Sequence, residues 1–512
     1  MISPVVVRVA LNRHRRGQDK LTVSLEAPMI GDQSGYDFRC DISDQVFAQL
    51  ANSVPTANSV RAAGELLGEG LRNNPDVGTA FQQALLATSA DRFPLLLELR
   101  GNDTVESLPW ETLYLPDAGF LGLDPRWSVG RRVDSGEVRP YEGVLPGSLQ
   151  IAVVLSCLGI SARDEWLQLK AAMEQSPLPV EMLIFVGEPD LAEALAKDCP
   201  AWLRVTGIPA NAETLAARLR QEAREGFAPQ VLHFFCHGSN DGGAHLEIAT
   251  PSDWERDATQ SSLTLEPSQV RDLTDAVRRP WLVVLNSCLG AAPLTDDSGA
   301  GSPGQSRARQ RAATHSLARK LVREGGFPAV IGMREPIDRT DATVFSSRLY
   351  PQLLQALDEL PTDHPTALDW SRLLVSARRS LAEQPGTVFS TAAGDSKRWT
   401  LPVLYVRSQE LLISRAAPRP APAVEDSTTA HAPIVLGSLA VGHRRGTGNG
   451  RNGADKAPET AALPASVPPT DPAIAATIDL LREVLASLGP DAPSAYLADL
   501  EAHIARLEMG EP

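Results

Sequence analysis

No two of the five cysteines, Cys40, Cys157, Cys199, Cys236 and Cys288, have the spacing of a zinc ribbon or a disulfide framework; they are odd in number and scattered over 512 residues. Cysteine chemistry here is therefore expected to be thiol chemistry. The chain also lacks an apolar run near the ~20 residues that cross a bilayer; the longest, such as "PIVLGSLAVG" at 433–442, falls far short. Its start, "MISPVVVRVALNRHRRGQDK", sets an apolar run before basic residues, the reverse of a secretory signal, and no small-residue cleavage site follows. A cytoplasmic protein without membrane contact is the expectation. Positive charge is short as well: 48 Lys and Arg against 63 Asp and Glu give a formal net charge of −15, which argues against nonspecific nucleic-acid binding. There is no GxxxxGK[ST] phosphate loop, no HExxH and no GxSxG, and "GTGNGRNG" at 446–453 follows no strand and opens no helix. Neither a metal nor an organic cofactor is expected.

What is present is the composition of a globular protein, 43% hydrophobic and 22% charged, with length for two to four domains of ~100–200 residues. From 149 to 407 one rhythm recurs. Apolar, β-branched runs stand at 149–157, 180–187, 230–236, 281–288, 328–333 and 401–406; helical patterns with apolar residues three and four apart lie between them, at 162–175, 212–226, 314–326 and 367–384. Strands without polar alternation are buried on both faces, so the pattern predicts an α/β fold with a mainly parallel sheet and helices on either side.

The remainder divides by composition. Residues 1–140 predict an α+β extension of the same core, with helices near 60–72 and 79–88, and 141–414 form the core itself. The Pro/Gly/Ser/Ala-rich stretch 415–471 reads as unstructured linker. Two amphipathic patterns at 472–489 and 492–510 predict a helical pair, too small for a core of its own and suited to dock on the main domain or on an activating or scaffold protein.

The chemistry concentrates in "VLHFFCHG" at 231–238. On a strand, His233 and His237 share one face and Cys236 takes the other, so the three do not converge on a metal, and haem attachment would need Cys at the position of His233. In open parallel sheets ligands bind beyond the carboxyl ends of strands. His237 stands where its strand gives way to "GSNDGG", and Cys288 ends the next strand in sequence, "WLVVLNSC". If these strands are neighbours, imidazole and thiol meet at the same rim; a thiol of ordinary pKa ~8.5 is mostly protonated at neutral pH, and a nearby imidazole takes its proton. The backbone N–H groups of Gly238 and Cys288 are then placed for an oxyanion. The plainer reading is that a strand-ending cysteine is a small hydrophobe and His-Gly a turn. His233 reads as a core or near-surface histidine and Cys236 as packed.

At these residues the sequence resembles the CHAT family of caspase-like cysteine peptidases, in the wider caspase, gingipain and separase group. The resemblance spans about 40–410: "LPWETLYLPDAGFLGLDPRWSVGRR" at 108–132, "LHFFCHG", "LNSC", "LARKLVREGGFPAVIGMREPI" at 317–337 and "WTLPVLYVRS" occur in the family's order. It implies a three-layer αβα sandwich, His237 as catalytic base and acid, Cys288 as nucleophile, and the Gly238 N–H in the oxyanion hole. After the cysteine stands "CLGAA", where many members have Glu-Thr.

The expected function is thus a cytoplasmic cysteine endopeptidase acting on protein substrates, activated by a partner or signal in a bacterial conflict or cell-death type of pathway; the alternative is a catalytically silent CHAT-like scaffold that binds peptides. A pocket for Arg or Lys would need a carboxylate, and Asp241, Glu247, Glu335 and Asp338 lie near strand ends. The long polar loop 289–316 reads first as a surface loop and second as an autoprocessing segment, with "RARQR" at 307–311 as the place to cut.

Overall fold

The computed structural model describes residues 5–13, 19–27, 59–75, 93–100, 108–134, 141–239, 245–274, 280–287, 317–335, 337–383 and 396–415, with a few shorter pieces between them. Two units separate, Met1–Val424 and Glu425–Pro512. The second, with the helical pair expected at 472–510, lies outside the described residues, as do most of the helix expected at 79–88 and the loop 289–316.

One sheet runs through the first unit. Its strands are β1 (Val5–Arg13), β2 (Asp19–Ala27), β3 (Leu95–Arg100), β4 (Val129–Val133), β5 (Leu149–Ser156), β6 (Val180–Val186), β7 (Leu203–Gly207), β8 (Val231–Ser239), β9 (His245–Ile248), β10 (Leu282–Ser287), β11 (Ala329–Met333) and β12 (Pro402–Arg407). Across the sheet the order is β7-β6-β5-β8-β10-β11-β12-β4-β3-β1-β2. From β7 to β11 every pairing is parallel, and β11 meets β12 antiparallel. β4, β3 and β1 then continue parallel to β12, so the N-terminal segment enlarges the same sheet.

The apolar runs become buried strands because both faces are covered. On one face, Leu155 and Val284 pack with Leu169, Phe345 and Leu374. These three come from helices α2 (Arg163–Glu174), α6 (Arg339–Asp358) and α7 (Trp370–Glu383). On the other, Phe234 and Val283 pack with Leu219 and Leu321, from α4 (Ala212–Arg224) and α5 (317–323). The result is the expected α/β architecture of a mainly parallel sheet between helical layers. Each such side chain contributes roughly 1.5–3 kcal/mol by leaving water. Helix α1 (Ser59–Arg72) lies close to the segment after Trp110: a Cβ on Gly64 would come within 2.0 Å of the Thr112 carbonyl oxygen, so only glycine permits that approach. Helix α3 (Pro189–Lys197) joins β6 to β7. Among the described residues no helix is long and apolar enough to cross a membrane.

Candidate active site

Three adjacent strands end level with one another. Ser156 of β5 is paired with Cys236 of β8, and Cys236 with Ser287 of β10. The next residues along the chain are Cys157, His237 and Cys288. The condition set by the sequence is therefore met: the strand of His237 and the strand that leads to Cys288 are hydrogen-bonded neighbours running the same way. Cys288 itself lies outside the described residues, as does Asp241. β8 runs further than expected, to Ser239, because the segment after "GSNDGG" returns antiparallel as β9; Gly238 thus stands inside the strand, opposite Leu246. Alternation puts Cys236, fully buried, in the apolar layer beneath α4 and α5, away from the His237 face.

The His237 ring is held from the β5 side. Its Nε2 lies 2.8 Å from the carbonyl oxygen of Leu158. A carbonyl only accepts, so Nε2 carries the proton and, in the neutral ring, Nδ1 keeps its lone pair. Cys157 Sγ lies 3.5 Å from Nε2 and 3.6 Å from Nδ1. Cys157 is fully buried. Neither Cys157 nor the Leu158 carbonyl was among the expected site residues.

Beneath His237, on the same face, the core is polar. His233 is fully buried, and its Nδ1 accepts a hydrogen bond from Tyr350 Oη of α6 at 2.8 Å. Its Nε2 lies 3.1 Å from Glu165 Oε1 of α2, off the line of a good hydrogen bond. The same carboxylate oxygen accepts from Asn286 Nδ2 of β10 at 3.1 Å and from the Ser346 hydroxyl. Asn286 stands two residues before Cys288, so this cluster ties the end of β10 to helices α2 and α6. Burial pushes the Tyr350 phenol well above its ordinary value, with the Glu165 charge adding to it, so it stays a donor. Among the described residues no three His, Cys, Asp or Glu side chains gather as a metal site.

The carboxylates proposed for a substrate pocket fall at the same rim, past β11 and on β9. Glu335 is buried between Lys397 Nζ at 2.8 Å and Arg334 Nη2 at 3.4 Å. Asp338 caps α6, accepting from the Asp341 N–H at 2.8 Å, and its side chain is half exposed. Glu247 stands opposite His237 in the β8–β9 ladder, with its carboxylate 3.6 Å from His245 Nε2. Next to Asp338, burial raises the Asp341 carboxyl to about 7, the Asp338 charge adding to it and Arg398 opposing.

The model of the CHAT domain family matches residues 150–432, just over half of the chain. The chain belongs to the CHAT domain family. The matched span holds β5 through β12, and so the rim where His237 stands; the "LPWE" segment and β1 to β4 precede it. Among solved structures, this CHAT chain is similar to a crystal structure of the Saccharomyces cerevisiae separase–securin complex, at 12% identity and a TM-score of 0.31, covering 63% of this chain. It spans only 16% of the length of that chain. No curated protein matches.

The segment before the matched span has a structural job. Glu111 of "LPWE" and Arg131 of β4 form a fully buried pair, with Arg131 Nε and Nη2 each donating to a Glu111 oxygen at 2.9 Å. Arg131 Nη1 also donates to the Glu106 carbonyl at 2.6 Å. This pair fastens the segment to the sheet.

Proposed function

We propose that this CHAT protein is a caspase-like cysteine endopeptidase in which Cys288 attacks the scissile carbonyl of a protein substrate and His237 moves the proton. The observation that carries the reading is the bond from His237 Nε2 to the Leu158 carbonyl, on a strand whose parallel neighbour leads into Cys288. It leaves Nδ1 as the basic nitrogen. Nδ1 takes the thiol proton as sulfur bonds to the carbonyl carbon, then gives it to the departing amine as the C–N bond breaks. Water, losing a proton to the same nitrogen, hydrolyses the thioester. When the ring is charged, both nitrogens carry hydrogen and the Leu158 carbonyl still accepts from Nε2, which favours the imidazolium. The N–H groups of Gly238 and Cys288 are assigned to the oxyanion. This chemistry calls for no metal or organic cofactor.

For a substrate with Arg or Lys before the cut, a carboxylate has to face the cleft. Glu335 is already neutralised by Lys397, so Asp241 and Asp338 are the ones to exchange first. Such a preference would also cut "RARQR" at 307–311. Residues 472–510 are assigned to an activating or scaffold protein, and the pathway to bacterial conflict or cell death in the cytoplasm.

The test compares wild type with Cys288→Ala and His237→Ala on a mixed peptide library, alongside an electrophilic thiol probe. Cleavage by wild type alone, with labelling of Cys288 over Cys236, supports the peptidase. Intact peptides that bind with no cleavage, and no selective labelling of Cys288, establish the silent scaffold instead. Removal of 416–512 with activation unchanged would dismiss the adaptor role.

A further inference from the structure

A carboxylate or an amide in a sheet core costs stability unless its polar atoms are matched. The cluster around Glu165 is matched only in part. Glu165 Oε2 and Asn286 Oδ1 are buried and meet no hydrogen-bond donor among the described residues. Val284, two positions earlier on the same face of β10, is an ordinary core residue, so an apolar side chain at 286 would also suit the fold. The polar set therefore answers to something besides stability, and its geometry shows what.

Asn286, the penultimate residue of β10, has one orientation. Its Nδ2 stands 3.1 Å from Glu165 Oε1, 3.3 Å from the Ala342 carbonyl oxygen and 3.1 Å from Ser346 Oγ. Turned over, the amide would set its oxygen against a carboxylate and a carbonyl, which only accept. The end of β10 is thereby fixed against α2 and α6, and these helices are joined to each other by Asp164 and Arg339 at 2.6 Å.

The same stretch of chain also holds the imidazole. Glu165 comes seven residues after Leu158, whose carbonyl accepts from His237 Nε2. The turn between them is locked, because Glu188 accepts from the Ser161 hydroxyl at 2.9 Å and from the Ala162 N–H at 3.2 Å. Residues 158–165 thus grip the ring of His237 at one end and the end of β10 at the other. His233, on the strand of His237, lies 3.1 Å from the same Glu165 oxygen.

We infer that Glu165 and Asn286 are positioning residues, which set the distance from His237 to the thiol that follows β10. Both are fully buried and touch no substrate, so they act on turnover and not on substrate binding. The inference rests on the peptidase reading. A misplacement of about 1 Å between reacting groups can slow a reaction on the order of a hundredfold.

The experiment uses the full chain carrying Glu165→Leu, Asn286→Val and Ser346→Ala together, which removes the three as a set and leaves none of them without its partner. Its melting temperature should stay near that of wild type and above that of Glu165→Leu alone. On the library peptide that wild type cleaves fastest, kcat should fall roughly 10- to 100-fold with KM within about twofold. Glu165→Gln, which keeps an acceptor oxygen, should retain more of kcat than Glu165→Leu. A folded triple variant with the kcat of wild type, or one whose loss lies in KM, overturns the inference and leaves the peptidase reading standing. Should the triple variant not fold, equal kcat in Glu165→Gln and Glu165→Leu overturns it. Wild type that neither cleaves nor is labelled at Cys288 removes the peptidase reading, and this inference with it.

Discussion

The sulfur of Cys157 stands at nearly equal distances, 3.5 Å and 3.6 Å, from the two ring nitrogens of His237. A thiol bonded in line with one nitrogen would lie closer to it than to the other, so this sulfur packs against the imidazole. It is also fully buried, out of a substrate's reach. Cys157→Ala should lower stability by about 1–2 kcal/mol and leave probe labelling of Cys288 in place. Cys157→Leu should push the ring off the Leu158 carbonyl and slow that labelling several-fold. Peptide mass mapping after alkylation checks both; labelling that disappears with Cys157→Ala would make Cys157 the reactive thiol.

Glu165 is the hub on which His233, Asn286 and Ser346 converge. Glu165→Leu leaves the Ser346 hydroxyl without this acceptor and takes one of three from Asn286 Nδ2, and is expected to cost about 1–3 kcal/mol. Glu165→Gln, which retains one acceptor oxygen, should cost less. Urea midpoints at unchanged slope measure the difference.

Burial acts to raise the Glu111 carboxyl, and the charge and hydrogen bonds of Arg131 more than reverse it, so the net value lies below the ordinary 4.5. A depressed carboxylate contributes stability that is present above the unfolded value and lost as pH falls through the folded one. Arg131→Met, which strands the carboxylate, should therefore lose about 3–5 kcal/mol near neutral pH and progressively less on acidification below 4.5. Thermal melts across that range test it.

Asp341 has the opposite sign. Its carboxyl is raised from 3.8 to about 7, so its favourable contribution is complete below the unfolded value and is lost as pH rises to about 7. Asp341→Asn should match wild type in acid and exceed it by up to about 4 kcal/mol above that pH, the attraction to Arg398 being already part of the net shift. The cap is retained, since the Asp341 backbone N–H, which Asp338 accepts, is untouched. Equal melting temperatures at both ends of the range would contradict this.

The buried strands were legible because six apolar runs lack polar alternation, and the shared rim of β8 and β10 because His237 and Cys288 fall where two such runs stop. β7 escaped notice as an edge strand whose Arg204 and Thr206 break the run. The α6 pattern was hidden by Asp341 and Ser346 inside its buried stripe and by Pro351 within the helix. Cys157 did leave a trace: "VVLSCLG" at 153–159 nearly repeats "VVLNSCLG" at 283–290, two strands with one ending. The Leu158 carbonyl left none, being backbone. The Glu165 cluster joins residues far apart in the chain, which no local pattern reports.

Side-chain alternation gives β8 two settings against β5 and β10 and nothing between them. Moved along by one position, it would turn the imidazole inward beneath α4 and lift Cys236 to the rim. Six paired positions on either flank oppose that slip. Whether this edge can host proton transfer is decided when the three ribbons zip together, well before any substrate arrives.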